Sequence, residues 1–165
     1  MAVTLVTGGI RSGKSRHAEG LATGVSDVTY VATGAPDGGD EEWSRRLALH
    51  RERRPSGWSV LETLDVAGVL AAARGTVIVD CLGTWVTGLL DAATVVLRDA
   101  LTTTQADVLV VSNEVGFAPV ATTPSGRWFQ DALGRLNAMV ASVADRVHLV
   151  VAGRVLDLSG TPVVP

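Results

Sequence analysis

Val3-Thr4-Leu5-Val6-Thr7-Gly8-Gly9-Ile10-Arg11-Ser12-Gly13-Lys14-Ser15 runs from a short β-branched segment, through a glycine-rich turn, into a stretch that reads as helix to about Leu21. Residues Gly8 to Ser15 fit the pattern G-x-x-x-x-G-K-[ST], in the strand-to-helix context that a phosphate-binding loop requires. Its glycines let the backbone curl so that successive N–H groups point at phosphate oxygens. The helix that follows adds the positive end of its dipole. In this pattern Lys14 bridges the β- and γ-phosphates and the Ser15 hydroxyl holds Mg²⁺. Thirteen of the 14 basic residues are arginine, and Lys14 is the sole lysine. A glycine-rich turn that merely links strand to helix is the plainer reading; pattern, context and the unique lysine weigh against it. The motif reports binding of a nucleoside triphosphate and says little about what is done with it.

Outward from this stretch, β-branched runs alternate with helical ones, the mark of a parallel α/β sheet. The spacing predicts a second strand at Val28 to Ala32 and a Gly/Pro/Asp loop from Thr33 to Asp40. A helix is expected from Glu41 to Arg53, with acidic residues in its first turn and Arg53, Arg54 and Pro55 at its end. Trp58 to Glu62 reads as an edge strand and Asp65 to Ala73 as a small helix. Thr76 to Asp80 and Val108 to Ser112 lack polar alternation and read as buried parallel strands. Leu82 to Thr103 reads as mostly helical, broken or softened at Gly83 and Gly88. After a long loop from Asn113 to Arg127, a helix is expected at Trp128 to Ala144 and a last strand at Val147 to Ala152. The tail, from about Arg154 and above all from Leu156 to Pro165, reads as irregular. The expectation is therefore an α/β protein: a single-domain P-loop fold over residues 1–165, with a mainly parallel β-sheet flanked by helices.

The 165 residues, 47% apolar and 19% charged, exclude an intrinsically disordered chain. Fourteen basic against 17 acidic side chains give a net charge of −3, which speaks against a nucleic-acid binder. The lone Cys81 excludes a disulfide-stapled fold. No apolar run is long enough for a membrane span, and Met1 to Thr7 carries no basic leader, so a cytoplasmic protein is expected.

A second acidic ligand for the metal is expected at the end of a neighbouring buried strand. Asp80 closes Thr76-Val77-Ile78-Val79 and fits that role, although an aspartate there could instead cap the next helix. Glu114 is the competing carboxylate, as a base or a metal partner. Trp43, Leu47, His50 and Arg54 share one face of the expected second helix, which turns His50 toward the protein body. Arg46, Arg53 and Arg54 lie on nearby rows; like charges favour a neutral, nucleophilic imidazole and could also neutralise phosphate oxygens. A half-buried histidine on a solvated basic helix accounts for the same pattern. His17 reads as a surface or packing residue, His148 as a satisfied core residue, and Cys81 as an inert thiol.

Taken together, the residues resemble a known family. Thr7-Gly8-Gly9-Ile10-Arg11-Ser12-Gly13-Lys14-Ser15-Arg16-His17-Ala18-Glu19 is similar to the N-terminal signature of the bifunctional adenosylcobinamide kinase / adenosylcobinamide-phosphate guanylyltransferases. Further matches follow in order: Tyr30-Val31-Ala32-Thr33, Arg46-Leu47 with His50, Arg54-Pro55, Asp80-Cys81-Leu82, Asn113-Glu114-Val115-Gly116, Arg127 with Phe129 and Asp131, Gly134 with Asn137, and Val150-Val151-Ala152-Gly153. The chain departs from the family pattern at Gly83, where Thr is frequent, at Gly88, where Asn is frequent, and at Phe117-Ala118-Pro119, where a glycine usually follows Gly116.

The resemblance implies that a nucleoside triphosphate, ATP or GTP, phosphorylates the aminopropanol hydroxyl of adenosylcobinamide. A histidine then attacks the α-phosphate of GTP, and the resulting guanylylated imidazole passes GMP to adenosylcobinamide phosphate, giving adenosylcobinamide-GDP. The nucleophile falls on His50, and Lys14 assists catalysis. Nucleotide contacts fall on Gly8, Gly9, Ile10, Arg11, Ser12, Gly13, Lys14 and Ser15, on Thr33, Gly34 and Ala35, on Arg51, Glu52, Arg53 and Arg54, and on Glu62 and Asp80, with Mg²⁺ on Ser15 and Asp80. Some members look trimeric, which implies a homo-oligomer and would suit the apolar Trp85, Trp128 and Phe129; core packing explains these equally well. Beside it stand two rivals, a P-loop small-molecule kinase without guanylyl transfer and a GTP-binding switch. Against the switch, there is no Asn-Lys-x-Asp guanine-reading motif.

Overall fold

Strand β1 (Val3–Gly8) is buried along its whole length, as expected of a strand with parallel neighbours on both edges and helices over both faces. The computed structural model of the chain describes residues 1–34, 55–87 and 92–164. Helix α1 (Lys14–Leu21) follows β1, then β2 (Val28–Ala32), β3 (Ser59–Glu62), α2 (Val66–Ala72) and β4 (Thr76–Asp80). Next come α3 (Leu82–Val86), α4 (Ala92–Thr103), β5 (Asp107–Asn113), α5 (Pro124–Val143), β6 (Arg146–Val151) and β7 (Arg154–Asp157). The strands form one sheet in the order β3-β2-β4-β5-β1-β6-β7, parallel throughout except for the antiparallel β6–β7 pair. This is the mainly parallel, helix-flanked sheet expected from the sequence.

Strand alternation divides the core in two. Val3 and Leu5 point to one face, where Val77, Val79, Val108 and Val110 pack under Leu70 of α2, Leu97 and Leu101 of α4, and Leu133, Leu136 and Val140 of α5. Val6 points to the other, where Val28, Tyr30, Ile78, Val111 and Val150 lie under Ala18 and Ala22, on either side of the end of α1. Small alanines there bring α1, and the loop ahead of it, close to the sheet.

Two expectations need correction, and a third is refined. The long final helix begins at Pro124, four residues before Trp128. Thr123 caps it by accepting a hydrogen bond from the Gly126 N–H at 3.1 Å, with Pro124 in the first turn, where a missing N–H costs nothing. The stretch from Leu82 to Thr103 is helical in two described pieces, the five-residue α3, which contains Gly83, and α4 from Ala92. Gly88, read as a breaking or softening point, lies outside the described residues. The tail is not irregular from residue 154. It folds back as β7, with Val151 opposite Arg154 across the two-residue turn Ala152-Gly153, at φ of 49° and 74°. Positive φ at both central positions suits the right-handed twist of a tight hairpin. The Gly153 N–H donates to the Ser12 carbonyl at 3.0 Å, so this hairpin buttresses the loop after β1.

A second tie joins α1 to β6. His17 and His148 meet ring to ring, Nε2 to Nδ1 at 3.0 Å. One nitrogen must be the acceptor, so the pair cannot be doubly protonated and keep this bond. Burial, and then the facing His148, hold the His17 imidazole below its ordinary 6.5.

Two measurements check these ties. Gly153→Val forces a β-branched residue into the left-handed region and should cost about 1–2 kcal/mol of stability in a denaturant titration. For His17 the unfolded chain binds the proton more readily, so its contribution is intact above the ordinary imidazole pKa and is lost as pH falls through the lowered folded value. Thermal melts between about pH 7.5 and about pH 5.5 should therefore fall more steeply for the wild type than for His17→Gln; equal slopes would sink this assignment.

Candidate active site at the mouth of the phosphate-binding loop

The loop after β1 takes its shape from where a side chain cannot go. A Cβ on Gly8 would lie 2.4 Å from the Val150 carbonyl oxygen and 2.7 Å from Ser12 Oγ, so only glycine passes between β6 and the returning loop. The Ser12 N–H closes a turn onto the Gly9 carbonyl at 3.2 Å, and Arg11 and Gly13 adopt φ of 59° and 103°. Left-handed residues interleaved in a turn collect N–H groups into an anion-binding concavity. Gly13 precedes α1 with no side chain capping the helix, which leaves its first N–H groups for a ligand. Lys14 Nζ donates to the Gly9 carbonyl at 3.3 Å and so lies across the loop, while Ile10 at its tip is exposed.

The parallel register aligns the strand ends along one edge. Gly8 sits opposite Asn113 on one side and Val150 on the other, and Glu62, Ala32, Asp80 and Val111 form a row across β3, β2, β4 and β5. Although β5 separates β4 from β1, Ser15 Oγ donates to Asp80 Oδ1 at 3.3 Å. The other carboxylate oxygen of Asp80 accepts from the buried Tyr30 hydroxyl, whose ring stacks on Trp58 at 6.4 Å. Thr33 is buried beside them. Its N–H donates to the Asp80 carbonyl at 3.2 Å and its hydroxyl to the Cys81 carbonyl at 2.6 Å, which ties the end of β2 to the end of β4. Burial, reinforced by the Asp80 carboxylate, pushes the Cys81 thiol up, so it stays protonated and unreactive, as expected.

Ser15 and Asp80 thus present two hard oxygens to one point at the loop mouth. Among the described residues no group of three His, Cys, Asp or Glu could hold a metal by itself. A serine and one carboxylate instead suit Mg²⁺, which keeps waters and takes phosphate oxygens as its other ligands. Glu114 stands on the far side of the loop entrance. Its N–H donates to the Gly8 carbonyl at 3.0 Å, and its Oε1 accepts from the Gly116 N–H at 2.6 Å.

The structure therefore brings Gly8 to Ser15, Thr33, Gly34 and Asp80 together, while Glu62 lies two strands farther along the same edge. Ala35, His50, Arg51, Glu52, Arg53 and Arg54 lie outside the described residues, as does the helix expected from Glu41 to Arg53. Sequence reasoning missed Tyr30 as the partner that fixes Asp80; a lone tyrosine inside an apolar strand needs a partner for its hydroxyl, and that was the available signal. It also missed that Gly83 packs on Asn113, where a Cβ would lie 2.7 Å from the amide nitrogen; a threonine there would require Asn113 to move.

Comparison with known proteins gives the chain its relatives. The chain is 39% identical over 172 residues to the bifunctional adenosylcobalamin biosynthesis protein CobP of Pseudomonas aeruginosa, covering 96% of this chain and 98% of that one. It is 35% identical over 176 residues to the bifunctional adenosylcobalamin biosynthesis protein CobU of Salmonella typhimurium, covering 90% and 95%. Among solved structures, the P4 protein of bacteriophage phi6 in complex with ADP superposes with a TM-score of 0.50 at 18% identity, a likeness of fold alone. That match takes in 94% of this chain, which spans 54% of the phage protein's chain. Residues 4–158 match the family described as cobinamide kinase / cobinamide phosphate guanyltransferase, and with these relatives over nearly its whole length the chain belongs to that family.

Proposed function

We propose that the chain carries out both reactions of its family, phosphorylating adenosylcobinamide with ATP or GTP and then transferring GMP from GTP to adenosylcobinamide phosphate. The observation that carries this reading is the approach of Ser15 Oγ to Asp80 Oδ1, 3.3 Å apart at the mouth of a glycine-shaped anion cradle. A triphosphate lying in that cradle meets the N–H groups of residues 8–15, and Lys14 leaves the Gly9 carbonyl for the β- and γ-phosphate oxygens. Mg²⁺ held by Ser15 and Asp80 supplies neutralising charge to the phosphates. Tyr30 holds Asp80 in place by donating to its second oxygen.

For guanylyl transfer, the neutral imidazole of His50 attacks the α-phosphorus of GTP. A phosphorus–nitrogen bond forms, the bond to the β-phosphate oxygen breaks, and pyrophosphate leaves. An oxygen of adenosylcobinamide phosphate then displaces the imidazole and takes the GMP. Arg51, Arg53 and Arg54 neutralise the phosphate in flight, and Thr33, Gly34, Ala35, Glu52 and Glu62 complete the contacts to the nucleotide. The same reading makes the chain a cytoplasmic homo-oligomer. No described helix is long and apolar enough to cross a membrane.

Intact mass after incubation with GTP and Mg²⁺ tests the covalent step. The wild type should gain an acid-labile adduct of about 345 Da, and His50→Gln should not. GTP bound without an adduct on either protein would leave a small-molecule kinase or a GTP-binding switch. The metal assignment has its own check in pyrophosphate release measured against Mg²⁺ concentration. Asp80→Asn should lower turnover about a hundredfold, and Tyr30→Phe should weaken the apparent Mg²⁺ affinity about tenfold.

A further inference from the structure

On the face of the sheet away from α1, a cleft of about 550 Å³ opens between α5 and the β1–β6 pair. Its floor is apolar, with Leu5, Val147 and Leu158 along it. Its end at the phosphate-binding loop is polar. There Thr7, the residue before the loop, is 6% exposed, and its hydroxyl has no hydrogen-bond partner among the described residues. Strand alternation sends Thr7 to the same face as Leu5, into this cleft, while the loop beginning at Gly8 turns toward α1. Glu114 lines the same end, joined to the loop by its N–H bond to the Gly8 carbonyl. One carboxylate oxygen is taken by the Gly116 N–H, and Oε2 accepts no hydrogen bond among the described residues.

We propose that this cleft receives the hydroxyl-bearing arm of the corrinoid acceptor and that Glu114 is the base of the kinase step; this rests on the kinase half of the function proposed above. The charge of the walls selects the ligand class. Glu114 and Asp131 line the cleft together with Arg127, whose guanidinium already donates to the Ala121 and Thr122 carbonyls, so the cleft favours a neutral alcohol over a second phosphate. Its volume falls in the range of small-molecule sites, enough for the arm and the adjoining ring edge. Thr7 hydrogen-bonds the incoming arm, and the alcohol is presented between Glu114 and the end of the triphosphate. The alcohol oxygen bonds to the γ-phosphorus as the bond from that phosphorus to the β–γ bridging oxygen breaks. The electron pair leaves on the nucleoside diphosphate, and the hydroxyl proton passes to Glu114 Oε2.

Two variants and two readouts test this. Ala138 is exposed on the cleft wall, so Ala138→Phe fills the cleft without touching the core. Calorimetric binding of cobinamide should weaken at least about tenfold in that variant, while GTP binding reports an intact fold. Glu114→Gln should bind cobinamide within about twofold of the wild type and lower the kcat of phosphorylation about a hundredfold. Unchanged cobinamide binding in Ala138→Phe overturns the cleft, and an unchanged kcat in Glu114→Gln overturns the base. A wild type that binds cobinamide in the cleft yet never phosphorylates it overturns the kinase reading and the role of Glu114 together, and leaves the binding site standing.

Discussion

The close approach of Gly8 to the Val150 carbonyl fixes the position of everything at the C-terminal edge of the sheet. Because no side chain fits there, the chain leaves β1 within van der Waals reach of β6, turns over Ser12, and enters α1 with its N–H groups still turned inward. The same geometry lets the Gly153 N–H reach the Ser12 carbonyl, so the C-terminal hairpin supports the loop from behind. A larger residue at position 8 would part β1 from β6, take the loop off the hairpin and swing Ser15 away from Asp80. One steric constraint thus sets the phosphate cradle and the metal-facing oxygens together.

The sheet then separates the work by face. Small alanines, Ala18 and Ala22, hold α1 close over Val6 and Val150 on one side. On the other, α5 covers Leu5 with Leu133 and Leu136 but leaves the part above β6 open, and this opening is the cleft. Two adjacent residues of β1 serve the two faces: Val6 packs under the helix of the loop, and Thr7 looks into the cleft. Glu114 stands where the faces meet, because β5 pairs with β1 to its last residue and the next N–H still reaches Gly8.

Much of this was legible in the sequence because it is encoded locally. The strand–loop–helix signature needs only consecutive residues, and Thr76 to Asp80 announces a buried strand by its unbroken β-branched run. What escaped was encoded across the chain or in a residue's less common role. Pro124 and Gly126 read as loop formers, yet Pro is at ease in a first helical turn, and Gly126 leaves room beside Ala121 and Thr123, where a Cβ would lie 2.7 Å and 3.0 Å away. The hairpin at Ala152-Gly153 lacks the Asn-Gly or Asp-Gly signal because Ala152 occupies the first left-handed position, so tertiary pairing outweighs local preference. The Ser15–Asp80 contact spans 65 residues of chain; sequence supplied both ends as candidates, and only the sheet order brings them together.

Sheet order also bears on how one cradle could serve attack at two different phosphorus atoms. The cradle and the Ser15–Asp80 pair act on the triphosphate as a whole and do not choose between its α and γ ends. The choice falls to the direction from which a nucleophile arrives. On the reading proposed here, an alcohol from the α5 cleft arrives beside Glu114, next to Gly8 and on the far side of β5 from β4. Strand β2, whose end leads into Thr33 and Gly34, lies beyond β4 on the opposite side of β5. On that reading an alcohol arriving from the α5 flank of β5 meets one end of a triphosphate lying along the strand tips and leaves its other end open. A single set of phosphate contacts then suffices for both transfers.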